Sequence, residues 1–232
     1  MLAITYEVSL LLQEQTRTLT VTLDEHNMER SEPVPEPVPE WIRLDCEQCE
    51  HCPLGLAEHP VCPAALSLVP LVEVFSNTVS HEPVALTVHM GPKTLTMRCD
   101  AQQAIGSLAG LLLATSACPH LAFLRPLARF HLPMATFEET HIRAIAFYLL
   151  GQYWREQNGL SGDFSCNGLT QRYEALGSVN VQLAKRLRVA TEKDSMVNAV
   201  VILDMLARTF SLSPEDLSAE LNQIYASYLS PR

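Results

Sequence analysis

The sequence predicts an α+β fold: a small strand-rich N-terminal part with a cysteine metal knuckle, followed by a mainly helical bundle. Three observations carry this reading. Residues 1–100 contain two runs in which threonines alternate with aliphatic residues, each interrupted by a polar turn. Four of the seven cysteines, Cys46, Cys49, Cys52 and Cys62, fall within one short stretch of the same region. Beyond residue 100 the apolar spacing lengthens from the alternation of a strand to the three-to-four spacing of a helix. The chain divides accordingly into parts 1–100 and 101–232.

"ITYEVSLLLQEQTRTLTVTLDE" forms the first hairpin. Thr, Tyr and Val favour strands, Leu19, Val21 and Leu23 alternate with threonines, and the polar "QEQT" turns the chain. Residues 31–40 follow, with prolines at 33, 35, 37 and 39. Proline at every second position removes amide donors and fixes φ, which predicts an extended, polyproline-like spacer. Such a run either docks into an aromatic groove or serves as a stiff arm leading to the cysteines. "PAALSLVPLVEVFSN" reads as a helix bent or broken at Pro70. "PVALTVHMGPKTLTMRC" is the second hairpin, with "GPK" as its turn.

Five helices are expected after residue 100. Asp100 with Gln103 is a capping box for a helix reaching about Ser116. Gly106 and Gly110, four apart, allow another element to approach its backbone. Thr136 with Glu139 caps a second helix. A third covers about Gly168 to Ala190 despite Gly177, and a fourth starts near Asp194 or Ser195. The last opens at Ser213 with Pro214 in its first turn, and Leu217, Leu221, Ile224 and Leu229 supply one apolar face. Short polar joints make these a compact bundle. No internal repeat is present.

At 232 residues, 47% hydrophobic and 18% charged, the chain has the composition of a folded protein. No charged-then-apolar leader opens it. Its longest weakly polar run, residues 104–117, is shorter than the roughly 20 residues that span a bilayer. A cytoplasmic setting without membrane attachment is expected, and there seven cysteines do not act as structural disulfides. Residues 1–100 hold fifteen acids and five bases, a net of −10, against eleven of each in the remainder. That acidity excludes nucleic acid as an expected partner. The one basic cluster, Lys185, Arg186 and Arg188, reads as a solvated helix flank.

The cysteines point to a metal. A Cys-x2-Cys turn places two thiolates within reach of one Zn²⁺. Cys46, Cys49 and Cys52 make two overlapping turns of this type, and Cys62 returns after nine residues. Cys-Pro occurs at Cys52, Cys62 and Cys118, so Cys118 competes with Cys46 as fourth ligand; His51 and His59 are lesser candidates. The spacing also fits part of a [4Fe–4S] loop. Arg43 to Pro63 is polar and acidic, so a closed, structural zinc is expected to hold a segment that burial cannot. Cys99 and Cys166 read as apolar fillers or incidental thiols.

Elsewhere, Cys118 with His120 or His131 and Glu139 supplies the parts of a thiol enzyme, though no glycine-rich oxyanion loop accompanies them. Glu138 and His141 form half of a di-iron motif with no second half. Arg125, Arg129, His131 and Arg143 gather near the start of the helix at Thr136, where a small anion is a candidate ligand.

"CPHLAFLRPLARFHLPMATFEETHIRAIAFYLLGQYW", with "CEHCPLGL" and "VCPAAL", resembles a bacterial family of uncharacterised proteins; the resemblance implies no activity. The expected function is therefore a non-enzymatic, zinc-binding adaptor or regulator acting through a protein partner. An iron–sulfur redox or sensor protein and a thiol enzyme at Cys118 are the alternatives.

Overall fold

In the computed structural model, residues 1–191, 193–209 and 224–229 are described. The two expected hairpins form, and they join. Strand β1 (Leu2–Leu10) pairs with β2 (Gln15–Leu23), and β3 (Pro83–Met90) pairs with β4 (Lys93–Asp100). An antiparallel β1–β3 pairing, with Tyr6 opposite Val88, merges them into one four-stranded sheet of order β2-β1-β3-β4. The alternation seen in the sequence decides which face is buried. Ile4, Tyr6, Val8, Leu10, Val21, Leu23, Val84, Leu86 and Val88 point into the core. On the opposite face the threonines form cross-strand pairs, Thr5 with Thr20 and Thr87 with Thr96. Gly91, at φ 59°, takes the left-handed conformation of the β3–β4 turn.

Between the hairpins, residues 31–39 form neither helix nor strand, as four prolines require. A 3-10 turn at Glu40–Ile42 buries Trp41 and Ile42. Helices α1 (Pro63–Ser67) and α2 (Val69–Phe75) meet at Leu68. The expected break at Pro70 thus falls two residues early. Pro70 instead occupies the first turn of α2, where a missing N–H costs no helical hydrogen bond.

Helix α3 (Ala101–Ala114) opens with the expected Asp100–Gln103 capping box and ends two residues short of Ser116. It packs on the sheet, and also against α7 (Ser195–Thr209), which in turn packs on α6 (Asn167–Ala190). Gly106 and Gly110 face Ala199 and Leu203 of α7, so the small pair does bring a helix close. A short α4 (Arg125–Arg129) precedes α5 (Phe137–Gln157), which carries the Thr136–Glu139 capping box.

The compact five-helix bundle is corrected in one respect. Only Ala144 and Gln152 of α5 are buried, so α5 lies outside the α3–α7–α6 layer. Arg143 donating to the carbonyls of Leu127 and Phe130, and Phe147 stacking on Phe130, fasten it there. Helix α8 (Ala226–Leu229) exposes its side chains; the expected helix start at Ser213 lies outside the described residues. One buried cluster runs from Ile4 on the sheet to Ala207 on α7, so both parts of the chain share a core. Among the described residues no single helix is long and apolar enough to cross a membrane.

Candidate metal centre

The cysteine segment is a loop with its two ends zipped together. Arg43 and Val61 form an isolated antiparallel bridge, the Leu44 amide donates to the Pro60 carbonyl, and the Cys62 amide donates to the Ile42 carbonyl at 2.7 Å. Ile42 and Leu44 are buried on the inner side. Within the loop, Cys52 N–H donates to the Cys49 carbonyl at 3.0 Å, closing the expected Cys-x2-Cys turn.

The two Cys-Pro pairs at Cys62 and Cys118 share one architecture. Each cysteine is the N-cap of a helical turn whose first residue is the proline, α1 after Cys62 and a 3-10 turn (Pro119–Leu124) after Cys118. Proline suits that place because its missing N–H would have no helical partner and its φ is already helical. The cysteine is left at the mouth of the turn, where the backbone N–H groups of His120 and Leu121 both favour a Cys118 thiolate.

Four thiols share one neighbourhood. Burial, then Cys62 and Cys52, pushes the Cys49 thiol up to about 11, with the Arg186 guanidinium opposing. Burial pushes Cys118 up to about 12; its two backbone amides pull it back, and Cys62 and Cys49 add to the rise. Cys49 thus feels the charges of Cys52 and Cys62, and Cys118 those of Cys49 and Cys62, across the loop, the N-cap of α1 and the start of the 3-10 turn. Cys46 lies beside Arg43, to whose carbonyl its amide donates. His51 belongs to the junction through its backbone: His120 Nε2 donates to its carbonyl at 3.0 Å, and the two rings meet edge-on, centroids 4.3 Å apart. His59 is exposed. All seven cysteines are free thiols. Among the described residues no three His, Cys, Asp or Glu side chains are arranged so that one ion could be held between them. The donor set has the soft character that zinc or an iron–sulfur cluster takes, without the convergence that ligation needs.

What pins this loop to the helices is a residue that charge patterning misassigns. Arg186 is no solvated flank: it is 2% exposed. Its guanidinium donates to the carbonyls of Trp41 at 2.8 Å, Arg43 at 2.6 Å and Leu44 at 3.2 Å. Its neighbour Lys185 stays exposed and pairs with Glu47 of the same loop at 3.2 Å. The loop therefore has anchors besides any metal, contrary to the expectation that burial alone leaves it unsupported. The signal was present in the spacing: Arg186 follows Leu183 by three and precedes Leu187 by one, on the buried side of α6.

Several of the remaining candidates make structural contacts. Arg125 pairs with Glu29 at 2.9 Å, and Arg143 caps the end of α4. Arg129 is exposed near Glu25. His131 Nε2 is hydrogen-bonded with the hydroxyl of Tyr6 at 2.6 Å, and burial lowers its pKa to about 4. Glu139 completes the capping box of α5, and Glu138 is exposed. Cys118 is buried and its thiol is held protonated, the reverse of what a nucleophile at neutral pH requires.

Neither a curated protein nor a solved structure matches the chain. A family model, described as a domain of unknown function, matches residues 4–226, nearly the whole length. The chain belongs to that family, DUF6901.

Proposed function

We propose that the protein is a non-enzymatic scaffold in which Cys49, Cys52, Cys62 and Cys118 hold one structural zinc and which acts through a protein partner. One observation supports the reading: thiols from three separate chain segments influence one another electrostatically where the cysteine loop joins the helices. Neighbouring thiols raise the cost of ionising Cys49 and Cys118, and a bound cation offsets that cost. Ligation requires the thiols to turn inward from their positions here, which rotation about χ1 permits in the short Cys49–Cys52 turn. Cys118 rather than Cys46 is the fourth ligand, because Cys118 shares the surroundings of Cys49 and Cys62. A closed set of four thiolates leaves no position for water or substrate, so the metal is structural. Exposed Leu150, Tyr153 and Trp154 on α5 are the kind of large apolar surface that partners cover.

The test is elemental analysis of protein purified anaerobically without chelator. About one zinc per chain is expected, lost in Cys49→Ser and in Cys118→Ser but retained in Cys46→Ser. Metal-free protein whose melting temperature is unchanged by Cys49→Ser overturns the proposal. A brown preparation containing iron and sulfide overturns zinc in favour of a cluster.

A further inference from the structure

Three parts of the helical half meet around a half-open cleft of about 200 Å³. Helix α5 lines it with Ala144, Tyr148, Gly151 and Arg155, successive steps of three and four along one side. Helix α6 adds Leu169, Arg172 and Tyr173, and the 3-10 turn and α4 add Phe123 and Leu127. Gly151 helps to keep the space open: a Cβ there would meet nothing within 4 Å. Glycine inside a helix costs about 1 kcal/mol relative to alanine, and α5 carries that cost where it lines the cleft.

The walls are aromatic and cationic. Phe123, Phe147, Tyr148 and Tyr173 all line the space. Phe123 and Tyr173 meet edge-to-face, centroids 5.3 Å apart, and the Tyr148 hydroxyl donates to Asp163 at 2.8 Å. Asp163 also accepts from Ser165 and the Gly168 amide, and it does not line the cleft. Among the described residues no acidic side chain does, whereas two arginines do. The Arg172 guanidinium carbon lies 5.8 Å from the centre of the Phe123 ring, and its charge also acts on Tyr148 of α5. Neither Arg172 nor Arg155 makes an ion pair among the described residues.

An arginine held over an aromatic wall without a carboxylate to neutralise it favours an anion. The rings around it favour a flat, apolar body. A cavity of about 150 Å³ accepts benzene, so about 200 Å³ suits one ring with a short acidic substituent. We infer that this cleft binds a small aromatic carboxylate of the benzoate or phenylacetate class. The ring lies among the four aromatic residues, and the carboxylate pairs with Arg172, with Arg155 adding positive charge to the same cleft. The site is separate from the cysteine junction and stands or falls independently of the metal.

The test is calorimetric titration of the full chain with benzoate and with phenylacetate, checked by thermal denaturation. The tighter ligand, at tenfold over its Kd, should raise the melting temperature by about 3 °C or more. Benzamide and phenylacetamide keep the ring and lose the charge, and they should bind at least tenfold more weakly than the acids. Arg172→Gln should weaken binding of the acids by the same factor. Gly151→Leu fills the space and should abolish binding without lowering the melting temperature of the unliganded protein. If that variant fails to fold, Arg172→Gln and the amides carry the test. Absence of heat and of any shift with both acids overturns the inference. Equal affinity for acid and amide, or for wild type and Arg172→Gln, overturns it as well, because the charge would then play no part.

Discussion

The hydroxyl of Tyr6, on the central strand β1, shares a hydrogen bond with Nε2 of His131 at 2.6 Å. Ser107 of α3 lies 2.9 Å from the same hydroxyl and takes the Met134 amide at 3.1 Å. The run links the Met134 amide, Ser107, Tyr6 and the His131 imidazole, whose lowered pKa keeps it neutral near pH 7. Sheet, α3 and the approach to α5 are tied together by this one polar run inside the core.

That arrangement predicts a stability loss in mild acid. Burial, with the Arg143 charge nearby, lowers the His131 pKa to about 4, against about 6.5 in an unfolded chain. The folded state then binds fewer protons than the unfolded state between those values, so stability is complete above pH 6.5 and falls as pH drops toward 4. The shift is worth about 3 kcal/mol at most. Urea titrations at pH 7.5 and 4.5 should show the loss, and His131→Gln should flatten it. An equal slope in the variant would assign the loss to other groups. Asp163 titrates in a different range, since Ser165, the Gly168 amide and Tyr148 lower its pKa to about 2.

Arg186 predicts a coupling between α6 and the thiols. Arg186→Met should leave three backbone carbonyls without their donor, at a cost of about 3 kcal/mol or more. The cysteine loop should loosen more than the sheet does. Alkylation of Cys49 by iodoacetamide should therefore speed up severalfold in Arg186→Met, while hydrogen exchange in β1 and β3 changes little. Uniform loosening would mean that Arg186 supports the whole core rather than the loop.

The α3–α7 contact separates two substitutions at one position. A Cβ on Gly106 would meet the Ala199 carbonyl oxygen at 3.6 Å and its Cα at 3.8 Å, ordinary contact distances. Gly106→Ala should stabilise the protein by up to about 1 kcal/mol through helix propensity. Gly106→Leu drives atoms into the α7 backbone and should cost about 1–3 kcal/mol. Chemical denaturation of the two variants reads both signs.

The strands, α3, α5 and α6 could be read from residue order because local signals agree with tertiary packing there: alternation on β1 and β2, and capping boxes at Asp100 and Thr136. The joining of the hairpins could not, since nothing in either announces the pairing of Tyr6 with Val88. Arg186 shows the same limit in another form. A polar residue on an apolar helix face reads as an irregularity until the groups opposite it are known, and the carbonyls of Trp41, Arg43 and Leu44 lie far away in sequence. The shared N-cap role of Cys62 and Cys118 was legible from the repeated Cys-Pro pair, because proline suits the first position of a helical turn. The peripheral position of α5 was not, since its sequence carries enough large apolar groups to pass for a core helix.

The bond from Arg186 to Arg43 spans 143 positions of the chain. During synthesis the loop emerges long before the guanidinium that seats it, so its thiols meet solvent, oxidants and free ions unguarded until α6 has been made and docked. Seating of the cysteine loop is thus a late event, timed by the far half of the molecule.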